Sequence, residues 1–158
     1  TGLYFAFGET TGFTAEQVEK GVRKFDYASY TAPSVSGNLT LEQDAAHVNL
    51  GGNWLMPKQE DFEELIANCT KKRVRDYKGT GISGRLFTSM VNGNSVFFPD
   101  AGYCDVSSVY CVGSCGYYSS AEGRSSYEVW YFYFNCSYQY VHCITRYYGF
   151  PVRGVCKR

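Results

Sequence analysis

Side chains able to do chemistry are few in this chain and unevenly placed. Seven cysteines (Cys69, Cys104, Cys111, Cys115, Cys136, Cys143 and Cys156) could serve as nucleophiles, metal ligands or disulfide partners. An odd number excludes complete intramolecular pairing. No Cys-x-x-Cys occurs, so a zinc site lacks its usual ligand spacing. Mostly free thiols are expected. The two histidines add little. His47 follows Ala45 and Ala46 in a short helical pattern, where a structural role is expected. His142 adjoins Cys143, but neighbours on a strand project from opposite faces, so the two are not expected to meet as base and nucleophile. Asp100 and Asp105 flank a loop and could approach a cation, yet calcium takes six or more oxygens and no EF-hand-type loop is present. Lys71, Lys72, Arg73, Arg75 and Lys78 read as a solvated loop. No phosphate-cradling glycine loop occurs. The expectation is a protein that is not an enzyme, with no cofactor and no metal.

Composition narrows the classes further. The 158 residues suit a single domain long enough to bury a core without staples. Fifteen basic and fifteen acidic side chains balance to zero, so nothing argues for a nucleic-acid partner. No apolar run is long enough to cross a bilayer, so no membrane insertion by this domain is expected. The sequence opens at Thr1 rather than Met, as expected of a trimmed domain or mature fragment. Residues 103–148 hold eleven of the fifteen tyrosines and five of the seven cysteines, but only five of the thirty charges. Residues 1–102 hold twenty-two of those charges and read as a scaffold.

The scaffold carries recognisable element signals. Thr14-Ala-Glu-Gln17 has the pattern of a capping box with Gly21 as a stop, predicting a helix over about 14–20. Thr40-Leu-Glu-Gln43 repeats it and predicts a second short helix through about His47. Pro57 suits a first helical turn, and Phe62, Leu65, Ile66 and Cys69 follow at helical spacing with acidic residues opposite. Residues 85–91 and 94–98, around Asn92-Gly93, predict a hairpin that Pro99 ends. Glu128 to Asn135 alternates Trp130, Phe132 and Phe134 against Val129, Tyr131 and Tyr133, which predicts a strand. Residues 138–143 and 150–155 predict short strands, and 99–127 reads as a long functional loop. Helices first and antiparallel strands later give an α+β class.

Tyrosine gives large, rigid, amphipathic contacts at low entropic cost, and Ser, Gly and Asn give adaptable hydrogen bonds. Tyr103, Tyr110, Tyr117, Tyr118, Tyr127, Tyr138 and Tyr140, interleaved with Ser107, Ser108, Ser114, Ser125 and Ser126, have that mixture. Tyr131 and Tyr133 fit equally a contact surface and an ordinary tyrosine-rich sheet. Free cysteines in loops carry a reactivity liability, which selection for folding does not explain.

Several segments together resemble one family. They are residues 2–10 (Gly2-Leu-Tyr-Phe-Ala-Phe-Gly-Glu-Thr10), 44–54 (Asp44 through Trp54), Met56-Pro57, 92–99 (Asn92 through Pro99) and 146–153 (Arg146 through Arg153). In order, they resemble the Fibrobacter-type paralogous domain of gut Bacteroidetes and their phages. The resemblance covers nearly the whole chain. It implies a C-type-lectin-like fold of the formylglycine-generating-enzyme subtype, with short helices packed on small twisted antiparallel sheets. It also implies one domain over 1–158, with a scaffold (1–102), a variable ligand-contact region (103–148) and a closing strand (149–158). Several such domains are the variable proteins of diversity-generating retroelements, in which adenine-directed mutagenesis rewrites Asn codons. Tyr138, Tyr140, His142, Cys143, Ile144 and Thr145 stand where family members are rich in Asn, and each is reachable from an Asn codon by changing adenines alone. So are Asp105, Tyr110, Cys111, Cys115, Tyr117 and Cys136. Such changes never yield Lys, Glu, Gln, Met or Trp, and 103–148 contains no Lys or Met. A tryptophan usual near Tyr118-Ser119-Ser120 is absent here.

These residues, with Cys104, Ser125 and Ser126, form the expected ligand-binding set. Tyr138, Tyr140, His142, Cys143, Ile144 and Thr145 are expected in one patch that Asp105, Tyr110, Cys111, Cys115 and Tyr117 join. The implied function is hypervariable, adhesin-type recognition of a protein or glycan receptor on a bacterial surface. The domain would sit on a phage tail fibre in the virion, or be extracellular at a cell surface; a homotrimer is one expected assembly. The rivals are a non-diversified surface lipoprotein domain with one fixed ligand, and a thiol-dependent enzyme. Formylglycine-generating enzymes share the fold and use cysteines, but here the cysteines fall largely at mutable positions, so that activity is not carried over.

Overall fold

The computed structural model describes residues 2–32 and 37–156. Three α-helices, two 3₁₀ turns and twelve strands are present among them. In chain order the α-helices and strands are β1 (Tyr4–Phe5), α1 (Ala15–Glu19), α2 (Ala45–Leu50), β2 (Trp54–Leu55), α3 (Gln59–Asn68), β3 (Cys69–Val74), β4 (Gly84–Ser89), β5 (Ser95–Pro99), β6 (Tyr103–Asp105), β7 (Ser108–Tyr110), β8 (Gly116–Gly123), β9 (Glu128–Phe134), β10 (Gln139–Thr145), β11 (Phe150–Pro151) and β12 (Val155–Cys156). Short helices beside small antiparallel sheets make the chain α+β, as the sequence pattern predicts.

Local chemistry explains most boundaries. Thr14 caps α1 through a complete capping box, its hydroxyl accepting from Gln17 N at 3.2 Å. The second predicted helix is split. Leu41–Gln43 forms a 3₁₀ turn, Asp44 is extended, and α2 starts only at Ala45. The break follows from Asp44, whose buried carboxylate accepts from His47 N (2.9 Å) and from Met56 N (2.9 and 3.0 Å). A helical Asp44 could not serve both partners. Pro57 precedes α3 instead of opening it: Lys58 is the cap, and Glu122 of β8 accepts from Gln59 N at 2.6 Å.

Three expectations are corrected. The basic run is only in part a loop: Arg75 and Lys78 lie in a bend and a 3₁₀ turn, but Lys71, Lys72 and Arg73 are strand residues. Residues 69–74 make β3, an outer strand on β4, and Arg73 pairs at 2.6 Å with buried Asp100, which also accepts from Ser83. Charged side chains suit such an edge because they blunt its tendency to pair with another chain. Residues 99–127 are not one loop either, for they contain β6, β7 and the eight-residue β8. Their small residues are strand residues packed inside, with Ser119, Ser120 and Ala121 buried next to Tyr118. This is the segment where the tryptophan is missing. Finally, residues 149–158 do not make one closing strand. β11 pairs with β1 and β12 with β2, each over two residues.

The predicted hairpin is present, although residues 90–94 connect its strands, with Gly93 at φ +72° donating to Ser89 O. The main sheet has the order β10-β9-β8, and α3 packs on one of its faces. There Phe62 of α3 joins Phe87, Phe98, Tyr118, Phe132 and Phe134. Phe62 stacks on Phe132 at 5.1 Å, and Phe98 and Phe87 meet the Phe132 ring edge-on. Trp54 takes no part; it is exposed.

Candidate ligand-contact surface

Burying one face of β9 decides the other. With Phe132 and Phe134 committed to α3, the period-two pleat sends Tyr131 and Tyr133 to the opposite side. Register then sets their neighbours. Tyr133 lies between Tyr117 of β8 and Tyr140 of β10, and Tyr131 between Ser119 and His142. Phe150 of β11 and Tyr103 of β6 complete a second apolar cluster with Tyr131 and Tyr133.

The result is a continuous array of rings. Tyr110 stacks on Tyr103 (5.5 Å), Tyr103 meets Tyr117 (4.7 Å), Tyr117 meets Tyr133 (4.9 Å), and Tyr133 stacks on Tyr140 (4.8 Å). Tyr140 continues to Tyr138 at 6.0 Å and to the His142 ring at 6.3 Å. Tyr131 and Tyr133, 6% and 8% exposed, are its floor, while Tyr110, Tyr140 and Tyr138, at 45%, 38% and 54%, are its open rings. Burial raises the phenol pKa of Tyr103, Tyr117, Tyr131 and Tyr133 above the ordinary value near 10. At Tyr133 a hydrogen bond with Cys115 adds to that effect. These phenols therefore stay neutral and able to donate. The array is flat, aromatic and rich in hydroxyls, which suits recognition by stacking and hydrogen bonds.

The expected contact residues do not all lie on it. Tyr110, Tyr117, Tyr138, Tyr140 and His142 do, and half-buried Ile144 packs against its floor. Cys115 borders it, with Sγ 3.4 Å from the Tyr133 hydroxyl, and Cys111 sits beside it in a turn closed by Cys115 N donating to Cys111 O at 3.0 Å. Asp105 ends β6 close enough to raise the Tyr103 and Tyr148 phenols by its charge. Cys136 is exposed in the β9–β10 turn.

The rest separate, so the single expected patch is corrected. Cys104 is fully buried with Tyr4, Val18 and Phe25, and that burial pushes its thiol up to about 12. It offers nothing to a ligand. Ser125 shapes the β8–β9 turn by accepting from Tyr127 N and Glu128 N. Ser126 and Thr145 line a different feature, a cleft of about 520 Å³ walled by Tyr27, Tyr30, Tyr127, Tyr147 and buried Arg146. It adjoins the array through Tyr147, Tyr148 and Tyr103, whose rings follow at 5.3 and 5.8 Å. Tyr27 and Tyr30 were missed in the sequence, although Tyr27-Ala-Ser-Tyr30 repeats the Tyr/Ser mixture of the later region.

Cys143 lies on the other face of β10, opposite Trp130. It nevertheless meets His142, with Sγ 3.8 Å from Nδ1, which corrects the expectation that adjacent strand residues stay apart. The reason is the strand's position: β10 ends the sheet, and the His142 ring turns along the strand to place Nδ1 3.2 Å from Cys143 O. His47, the other histidine, has Nδ1 3.3 Å from Trp54 O. Among the described residues, no three His, Cys, Asp or Glu side chains converge in a way that could hold a metal ion. No helix of the described residues is long and apolar enough to cross a membrane. No family model, curated protein or solved structure matches this chain.

Proposed function

We propose that this chain is a receptor-binding domain whose tyrosine array contacts a protein or glycan on a bacterial surface. We infer further that it is a retroelement-diversified variable protein of the Fibrobacter-type paralogous family with a C-type-lectin-like fold. It would be carried on a phage tail fibre or a bacterial surface. The observation that carries the reading is the array itself. Tyr110, Tyr138 and Tyr140 are open to solvent yet tiled in register on a buried tyrosine floor. Folding gains little from rings left half in water, whereas recognition gains rigid, neutral contact area. Most of the residues reachable from Asn codons by adenine changes lie on or beside it, which is the distribution expected if diversification acts on a contact face. We read no catalytic step into the surface.

The experiment is to sequence the gene and the few kilobases around it. A near-copy of the 103–153 coding region, differing almost only at template adenines and accompanied by a reverse transcriptase, is the expected result. Its absence would remove diversification and leave a fixed-ligand binder.

A further inference from the structure

On the face of the main sheet away from the tyrosine array, Arg124 and Glu128 converge on Cys143, and the His142 ring reaches the same sulfur from the array side. Arg124 Nη1 donates to Cys143 Sγ at 2.8 Å, His142 Nδ1 lies 3.8 Å from the same sulfur, and Glu128 Oε1 lies 3.7 Å from it. Glu128 also holds the guanidinium at 3.3 Å, and the Arg124 guanidinium stands 5.8 Å over the Trp130 ring. Three separate anchors thus fix the cation beside the thiol: the carboxylate, the ring and the sulfur. A thiolate, not a thiol, attacks disulfides and soft electrophiles, and a cation in contact favours it. The other cysteines are placed differently. Cys104 is sealed in the core, burial raises the thiols of Cys69 and Cys111, and exposed Cys136 has the Ser137 hydroxyl 3.5 Å from its sulfur, with the Arg85 cation within electrostatic reach.

We propose that Cys143 is a modification site that takes up a mixed disulfide by exchange with a small neutral disulfide, with Arg124 as its activating residue and Glu128 as a brake. The Cys143 thiol loses its proton to solvent, and its sulfur attacks one sulfur of the disulfide RS–SR. A new S–S bond joins Cys143 to RS, the old one breaks, and the displaced RS⁻ takes a proton from solvent. One disulfide is consumed and one formed, so no further oxidant is needed. Arg124 stabilises the attacking thiolate, and the Glu128 carboxylate opposes that negative charge. This site is a property of this chain's own Cys143, whichever residue a diversified relative carries there, and it and the receptor-binding reading can fail separately.

The test is exchange of the whole, reduced chain with bis(2-hydroxyethyl) disulfide at neutral pH. Quenched samples are mapped by peptide mass, with Cys136 as the internal reference. We expect Cys143 to react severalfold faster than Cys136, because a cation touches its sulfur, Arg124→Gln to abolish that lead, and Glu128→Gln to increase it. Opposite signs for the two substitutions are the signature, since a change in mere exposure would shift both the same way. Cys143 reacting no faster than Cys136, or both substitutions moving its rate in one direction, would overturn the proposal. Both residues are on the surface, and thermal melts of the two variants confirm that rates are compared on folded protein.

Discussion

Replacing one ring on each face of the main sheet separates a contact surface from a core. Phe132 and Tyr140 sit on β9 and β10, facing opposite ways. Phe132 is fully buried, and its ring meets those of Phe62, Phe87, Phe98 and Phe134 at 5.1 to 5.8 Å. Phe132→Ala loses the transfer energy of a whole ring and leaves a cavity under α3, about 3–5 kcal/mol. For a chain of this size that lowers Tm by roughly 6–20 °C. Tyr140 keeps 38% of its surface in water, and its nearest ring is Tyr133 at 4.8 Å. Tyr140→Ala forfeits that pair and part of its buried area, about 1 kcal/mol, or roughly 2–4 °C. Circular dichroism melts of the two variants give the comparison without knowledge of any ligand. In binding, the ranking inverts: a central tyrosine is worth about 2 kcal/mol or more, a thirtyfold loss of affinity. If Tyr140→Ala destabilises the fold as much as Phe132→Ala, the array is part of the core and the reasoning fails.

Two further outcomes follow from packing and burial. A Cβ at Gly116 would lie 2.1 Å from the Phe134 ring, so Gly116→Ala must displace that ring. It should cost about 1–3 kcal/mol, measured as the shift of the urea midpoint at unchanged m-value, and a silent substitution would mean the ring is loosely held. Buried tyrosines should also give a basic limit to stability. Tyr4 is raised to about 12, and Tyr117, Tyr118, Tyr131 and Tyr133 are raised as well, burial being the largest cause in each. A folded pKa above the unfolded one means that the native state holds the proton longer. Their contribution is whole below pH 10 and is lost as pH rises towards the folded values. Absorbance at 295 nm should show these buried tyrosines ionising only on unfolding, with Tm falling over the same range. Ionisation of all fifteen tyrosines in one step near pH 10, on folded protein, would contradict the burial.

How much was legible in advance varied with the range of the interaction concerned. The α1 capping box, the helical spacing of Phe62, Leu65 and Ile66, and the alternation along β9 were readable, because each is a local pattern with a local cause. The split at Asp44 was not readable, since it depends on Met56 N, twelve residues away. Nor was β3, whose run of charges hides a strand held by β4 and by Asp100. The small residues of β8 look like loop residues, but in three dimensions they lie under Phe134, Pro57 and Phe5.

The amino-acid sequence by itself determined that a tyrosine- and cysteine-rich, charge-poor region follows a charged scaffold, and that β9 presents phenylalanine on one face and tyrosine on the other. Composition and period are properties of the chain, so they need no fold to be seen. Only the tertiary structure decided which of those residues meet. It tiled Tyr103, Tyr110, Tyr117, Tyr133, Tyr138 and Tyr140 into one surface, buried Cys104, turned Ser126 and Thr145 to a cleft, and brought Arg124 to Cys143. The physical reason is register. Side chains on one strand alternate by rule, but which partner stands opposite is set by where strands pair, and a shift of one residue would exchange the two faces.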